Sequence, residues 1–280
     1  MNFKEAYSKK IELIDNYITI HLDSKYSKVS PELAEAMKYS VLNGGKRLRS
    51  ILCIEICRML GGSVAKALPF AAAIEMIHAY SLVHDDLPAM DNSDMRRGMP
   101  SCHKQYGEAM GILCGDALLN AAYELISESC EDSSTIEAFK CIASAAGAQG
   151  MIDGQVIDLN VAATNECDLK ILTKLIELKT MALIRASILS GACIANCDES
   201  IMEDMNEFAY HLGLAFQVRD DFEDIDEDSA DCGDSPNFVN FLGTSKAKEM
   251  LETHALMAAN ILKKYKNSEF LSQLHSFLFD

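Results

Sequence analysis

Four aspartates, Asp85, Asp86, Asp91 and Asp94, crowd the segment SLVHDDLPAMDNSDMRRG just ahead of Arg96 and Arg97. A second acidic run, DDFEDIDED, begins at Asp220 and puts seven carboxylates into nine residues. Carboxylate oxygens are hard ligands, and such groups in pairs suit Mg²⁺. Asp220 and Asp224 are i, i+4 and share a helix face. Asp85 and Asp91 would lie about 120° apart on an unbroken helix. Pro88 removes a backbone donor between them, so the helix should bulge or end there, which lets both carboxylates converge. Near a helix C-terminus, whose dipole disfavours negative charge, the second run repels itself unless a cation is present. Neither run is a calcium-binding loop, because the alternating Asp/Asn spacing with a central Gly and a terminal Glu is missing. Taken alone, each also reads as solvated surface at a helix end.

What weighs against that plainer reading is a set of basic groups suited to a multiply charged anion. Gly44-Gly45-Lys46-Arg47-Leu48-Arg49 combines a helix start with side-chain donors, Lys46 and Arg49, spaced i, i+3. Arg96 and Arg97 follow the first acidic run directly. Lys179-Thr180 sits inside the otherwise apolar ELKTMALIRAS, where an ammonium needs an anionic partner or must snorkel to the surface. His78 is seven residues before Asp85, nearly on the same helix face, and reads either as a core histidine or as part of the same cavity. Gln217 stands one turn before Asp221, at the top of an apolar stripe.

The elements that must carry these residues are helices. Helical periodicity runs throughout, with no alternating pattern long enough for a sheet. Ser30-Pro31 opens a helix with Leu33, Met37 and Val41 on one face, and Asn43-Gly44-Gly45 closes it. Ile201, Met205, Phe208, Leu212 and Phe216 draw a stripe leading to Arg219. Ser134 with Glu137 reads as a capping box, and Ser245 as the cap of the helix beginning SKAKEML. Breaks fall at Gly61-Gly62, Asn92 to Pro100, EDSS and Asp226 to Phe238. None is long enough for a linker, so residues 1–280 read as one all-α domain, a helical bundle.

The 280 residues carry a net charge of −17 with 49% hydrophobic residues, which excludes general disorder and argues against nucleic acid as a partner. No apolar run approaches the roughly 20 residues of a membrane span, and the N-terminal segment lacks a signal-like apolar centre, so a cytoplasmic protein is expected. The 10 cysteines lie in apolar helical segments and read as buried thiols rather than bridges or metal ligands.

Together GGKRLR, the aspartate motif with four residues between Asp86 and Asp91, RRG, CGDALL, DGQVIDL, Lys179-Thr180 and FQVRDDFED resemble the short-chain trans-prenyl diphosphate synthases, in particular the bacterial farnesyl type. The likeness spans roughly residues 30 to 225. It implies an all-α helical bundle of the isoprenoid synthase type around a deep apolar cavity, with both aspartate motifs at its mouth, and a homodimer. By that resemblance Asp85, Asp91 and Asp220 would bind Mg²⁺, with Asp86, Asp221 and Asp224 as lesser candidates. Arg96, Lys179, Thr180 and Gln217 would hold an allylic diphosphate. Lys46, Arg49, His78 and Arg97 would hold isopentenyl diphosphate.

Ionisation of the allylic C–O bond, attack by the isopentenyl double bond and loss of a proton would then give the longer diphosphate. Tyr80, five residues before Asp85, stands where the family uses an aromatic side chain to stop growth at fifteen carbons. This chain departs from the family after the second motif: DIDEDSADCGDSPNFVNFLG is shorter and lacks the expected Lys, for which Lys246 or Lys248 would have to substitute. A synthase of another chain length, a terpene cyclase and a non-catalytic subunit remain alternatives. The cyclase has no need of the second diphosphate site that Lys46, Arg49 and Arg97 supply.

Overall fold

A computed structural model describes residues 2–227 and 236–279, with side chains described for 2–223 and 236–279. The first half runs α1 (Phe3–Lys25), α2 (Pro31–Leu42), α3 (Leu48–Met59) and α4 (Val64–Asp85), then a hairpin of β1 (Met95–Arg96) with β2 (Met99–Pro100). After it come α5 (Cys102–Tyr106), α6 (Glu108–Ser129), α7 (Ser133–Ala146), α8 (Met151–Thr164) and α9 (Leu169–Ile176). A π-helical turn, Glu177–Met181, joins α9 to α10 (Ala182–Ile194), followed by α11 (Glu199–Glu227), α12 (Phe238–Leu242), α13 (Thr244–Leu262) and α14 (Glu269–Phe279). The all-α expectation holds, and the two-residue strands are the only sheet among the described residues.

Helices α3, α4 and α10 are buried nearly all round, as their continuous apolar sequences require. Ala71, Ala72 and Ala73 on α4 let its neighbours approach closely. A second cluster joins Leu172, Ile176, Met181, Leu214, Val218 and Phe238. It locks α9, the π-turn, α11 and α12 together, which fixes Lys179 and the start of the second acidic run. The expected α11 stripe is real, with Met205, Phe208 and Leu212 fully buried and Arg219 lying over the Phe216 ring.

Two caps differ from the expectation. Asp132, not Ser134, caps α7: its Oδ1 accepts from the Thr135 N–H at 3.0 Å, and Ser134 Oγ donates to the same carboxylate. Helix α13 starts at Thr244 behind Gly243, so Ser245 is inside it rather than its cap. Nor does the absence of a span-length apolar run hold, because α6 is by length and composition long and apolar enough to cross a bilayer. In the fold its Leu118, Ala122 and Leu125 are buried, and α6 packs against α4 and α2.

Candidate active site

The first acidic cluster is shaped by a broken helix. Helix α4 ends at Asp85, and the loop carrying Pro88 folds back so that the Asp91 N–H donates to the Asp85 carbonyl at 2.9 Å. Asn92, with φ of 50°, turns the chain, and the Ser93 N–H reaches the Asp86 carbonyl at 3.1 Å. Asp85 and Asp91 therefore converge as Pro88 predicts. Partial burial and the neighbouring Asp85 charge push the Asp91 carboxyl above its usual range.

Asp86 turns the other way. It is 2% exposed and takes a bidentate pair from Arg96, whose Nη2 is 2.5 Å and Nε 3.1 Å from Oδ1. In this structure it therefore occupies the guanidinium expected to face the allylic diphosphate.

Lys179 reaches the cluster from the π-turn, one of the local helix distortions that concentrate at working sites. Its Nζ is 2.5 Å from Asp158 Oδ2 and 3.4 Å from Asp85 Oδ2. Burial disfavours the ammonium, but the Asp158 hydrogen bond and the Asp85 charge outweigh it, so Lys179 stays charged with a raised pKa. Gln155 on α8 donates to the other Asp85 oxygen. Gly154 permits this arrangement, since a Cβ there would lie 2.8 Å from Lys179 Cα.

Gln155 and Asp158 were missed as site residues, although DGQVIDL is quoted in the resemblance. The available signal was a polar pair spaced i, i+3 in an apolar helix. Only packing of α8 on the π-turn reveals its target.

Beneath Asp85 and Lys179 opens a cavity of about 350 Å³. Arg49, His78, Gln155 and Thr180 supply polar lining, and Met151, Ile152 and Leu183 supply apolar wall. Tyr80 lines it and is 7% exposed, with its ring edge against His84. Burial pushes its phenol to about 12, so it is neutral.

The basic end divides GGKRLR by role. Arg47, with φ of 47°, turns into the core, where Nε donates to Asp15 at 2.8 Å and Nη1 faces buried Glu75 at 3.4 Å. Ser50 donates to the same Glu75 at 2.7 Å. Arg47 is thus a structural tie for α1, α3 and α4.

Arg49 Nη1 lies 3.4 Å from His78 Nε2, and its buried Nε has no partner. Burial and the charges of Arg49, Arg97, Arg47 and Arg96 hold His78 well below the usual imidazole value, so it is neutral and can accept from Arg49. Arg97 donates to the Gly44 carbonyl at 2.8 Å. Its guanidinium lies over Gly45, whose φ of 112° suits glycine and where a Cβ would meet Arg97 Cζ at 2.8 Å. A buried orphan donor beside crowded guanidinium groups is a ready anion site.

The second acidic cluster also splits. Burial raises the Asp220 carboxyl above its usual range, while an Arg219 hydrogen bond of 2.6 Å and the Lys46 charge pull against that rise. Asp221 is 3% exposed and accepts from Gln217 Nε2 and from the Phe238 N–H, both at 2.8 Å. Asp221 therefore ties α12 to α11. Gln217 is turned to it rather than brought together with Lys179 and Thr180. The Asp224 side chain and residues 228–235 of the shortened loop lie outside the described residues. Lys246 and Lys248 are exposed, and Lys248 Nζ lies 4.0 Å from Glu252 Oε1.

A carboxylate and a charged lysine at the wall of a partly apolar cavity, with Arg49 and neutral His78 lining the same space, suit a prenyltransferase-type enzyme. Comparison with known proteins agrees. The polyprenyl synthetase profile matches residues 30–236. Farnesyl diphosphate synthase of Geobacillus stearothermophilus is 41% identical over 245 residues, covering 83% of this chain and 82% of that one. Large subunit 1 of the heterodimeric geranylgeranyl pyrophosphate synthase of Arabidopsis thaliana is 38% identical over 268 residues, covering 90% and 71%. The crystal structure of an FPP/GFPP synthase from Zymomonas mobilis superposes with a TM-score of 0.89 at 33% identity, covering 100% and 99%. The chain belongs to the polyprenyl synthetase family and is a prenyl chain synthase.

Proposed function

We propose that this chain condenses isopentenyl diphosphate with dimethylallyl or geranyl diphosphate to give farnesyl diphosphate, in a Mg²⁺-dependent reaction. The observation that carries the product assignment is the buried Tyr80 ring in the wall of the cavity beneath Asp85. Asp85, Asp91 and Asp220 are the residues that would hold Mg²⁺. Their donors are hard oxygens, and the raised carboxyls of Asp91 and Asp220 mark a place where added positive charge is favourable. Among the described residues no three His, Cys, Asp or Glu side chains gather into a ready metal site. The substrate's own oxygens and water would therefore complete the ligand set. Bound Mg²⁺ would neutralise charge on the leaving diphosphate.

The protein's part is positioning and charge. Lys179, poised between Asp85 and Asp158, turns to the allylic diphosphate with Thr180 and, once released from Asp86, Arg96. Gln155 keeps Asp85 oriented. Lys46, Arg49, Arg97 and neutral His78 hold isopentenyl diphosphate, with the unpaired Arg49 Nε as a donor in waiting. The apolar wall excludes water from the carbocation. Residues 1–280 are read as one catalytic domain, and a homodimer belongs to the same reading. The nine free thiols among the described residues suit a reducing cytoplasm.

Incubation with Mg²⁺, isopentenyl diphosphate and either primer should give a fifteen-carbon product by mass spectrometry. Tyr80→Ala should shift the product to longer chains. An unchanged product distribution in that variant would remove Tyr80 as the stop, and a twenty-carbon wild-type product would make the chain a geranylgeranyl-type synthase.

A further inference from the structure

The face of the π-turn not used by Lys179 borders a second cavity, of about 850 Å³, between α7, α10 and α11. Leu178 and Met181 form part of its wall. Lys140 and Arg185 bring positive charge to it, Glu177 and Glu207 negative charge. Asn206 presents a buried Oδ1 that has no hydrogen-bond partner and could accept from a peptide N–H. Cys141 on α7 lines the same space, and the Cys193 thiol on α10 neighbours it closely enough to perturb its acidity. Mixed charges, an amide acceptor and a thiol fit a zwitterionic sulfur compound better than a simple anion.

We propose that this cavity is a thiol-modification site, in which Cys141 takes up a low-molecular-weight disulfide of the amino-acid or small-peptide class and Cys193 resolves the adduct. Cys141 gives up its proton to solvent and attacks one sulfur of the ligand. The new sulfur–sulfur bond forms as the ligand's own breaks, and the departing thiolate takes its electron pair and then a proton from water. Cys193 next loses its proton, attacks Cys141 Sγ and expels the second ligand thiolate. Two protein thiols are oxidised to one disulfide, and the ligand disulfide is reduced to two thiols.

The thiol chemistry agrees with this geometry. The neighbouring Cys193 thiol draws the Cys141 thiol below its ordinary value against the effect of burial, and the Arg185 charge helps. Cys193 is pushed up, which suits the second, resolving role. Cys102 is an internal control. The neighbouring Cys114 thiol also draws it below its ordinary value, but it is 4% exposed and meets a space of only about 20 Å³. Access, rather than acidity alone, singles out Cys141.

The test is independent of the proposed condensation. The reduced full-length protein is incubated with oxidised glutathione and mapped by peptide mass spectrometry. Wild type should gain a Cys141–Cys193 disulfide. Cys193→Ser keeps a hydroxyl donor but no resolving sulfur, so it should accumulate glutathione on Cys141, several-fold above Cys102 or the partly exposed Cys167. Cys141→Ser should lose both products. Bis(2-hydroxyethyl) disulfide, which is neutral, should react several-fold more slowly than glutathione disulfide, and Arg185→Gln should erase that preference. Glutathione spread over the thiols in order of exposure, or equal rates with the neutral disulfide, would overturn the assignment.

Discussion

Asp85-Asp86 closes α4, and the same dipeptide, Asp220-Asp221, lies within α11 after its apolar stripe; in both the neighbours part company. The second member is withdrawn from solvent and spent on structure: Asp86 binds Arg96, and Asp221 binds Gln217 and the Phe238 backbone. The first member stays at the site, Asp85 beside Lys179 and Gln155, Asp220 beside Arg219. The two clusters differ in what steadies them. A folded-back loop, a lysine and an amide surround the first, whereas the second depends on a five-residue helix arriving from beyond the acidic run. Adjacent aspartates thus take different partners, because successive helical residues point about 100° apart; in the proposed reading the first of each pair is the working carboxylate.

The largest way to probe that division is through the groups at the first cluster. Lys179→Met should lower kcat by about 100- to 1000-fold, the usual loss when one preorganised charge-stabilising donor is removed, while the thermal midpoint changes little. Steady-state kinetics beside thermal unfolding would separate the two effects. Asp86→Asn should do the reverse, lowering stability by about 3 kcal/mol because the Arg96 guanidinium loses its buried anionic partner. Denaturant titration measures it.

Asp221→Asn should lower stability by about 1–2 kcal/mol, since an accepted hydrogen bond is weakened or lost in the buried setting. The smallest effect carries the opposite sign. Asp220→Asn should slightly raise the thermal midpoint of the metal-free protein at neutral pH. Burial lifts the Asp220 carboxyl, so its charged form is a penalty on folding, present in full above the raised folded value and gone below the ordinary carboxylate value near 3.8. The advantage of the variant should therefore shrink as pH falls through that window. A destabilised Asp220→Asn at neutral pH would contradict the division of labour.

The legible parts were those decided locally. Pro88 ends α4 because its ring cannot donate, and the convergence of Asp91 on Asp85 follows from that one residue. The α11 stripe and the helical class follow from periodicity. What escaped depends on contacts between elements distant in sequence. Asp221 looks like a metal ligand until Phe238, 17 residues on, claims its oxygen. Arg47 looks like Arg49 until its left-handed backbone sends it to Asp15 and Glu75. Gln155 and Asp158 acquire a role only when Gly154 lets α8 touch the π-turn. The α7 cap failed for a smaller reason, because Asp132 and Ser134 are both good capping residues two positions apart.

The most direct measurement is the Mg²⁺-dependent condensation rate of four single variants, Asp85→Asn, Asp86→Asn, Asp220→Asn and Asp221→Asn, at a temperature where all are folded. The account predicts that Asp85→Asn and Asp220→Asn lose turnover by about 100-fold or more, whereas Asp86→Asn and Asp221→Asn keep turnover within about tenfold, an allowance of 1.4 kcal/mol or less. Equal losses within each pair, or greater losses at Asp86 and Asp221, would contradict it.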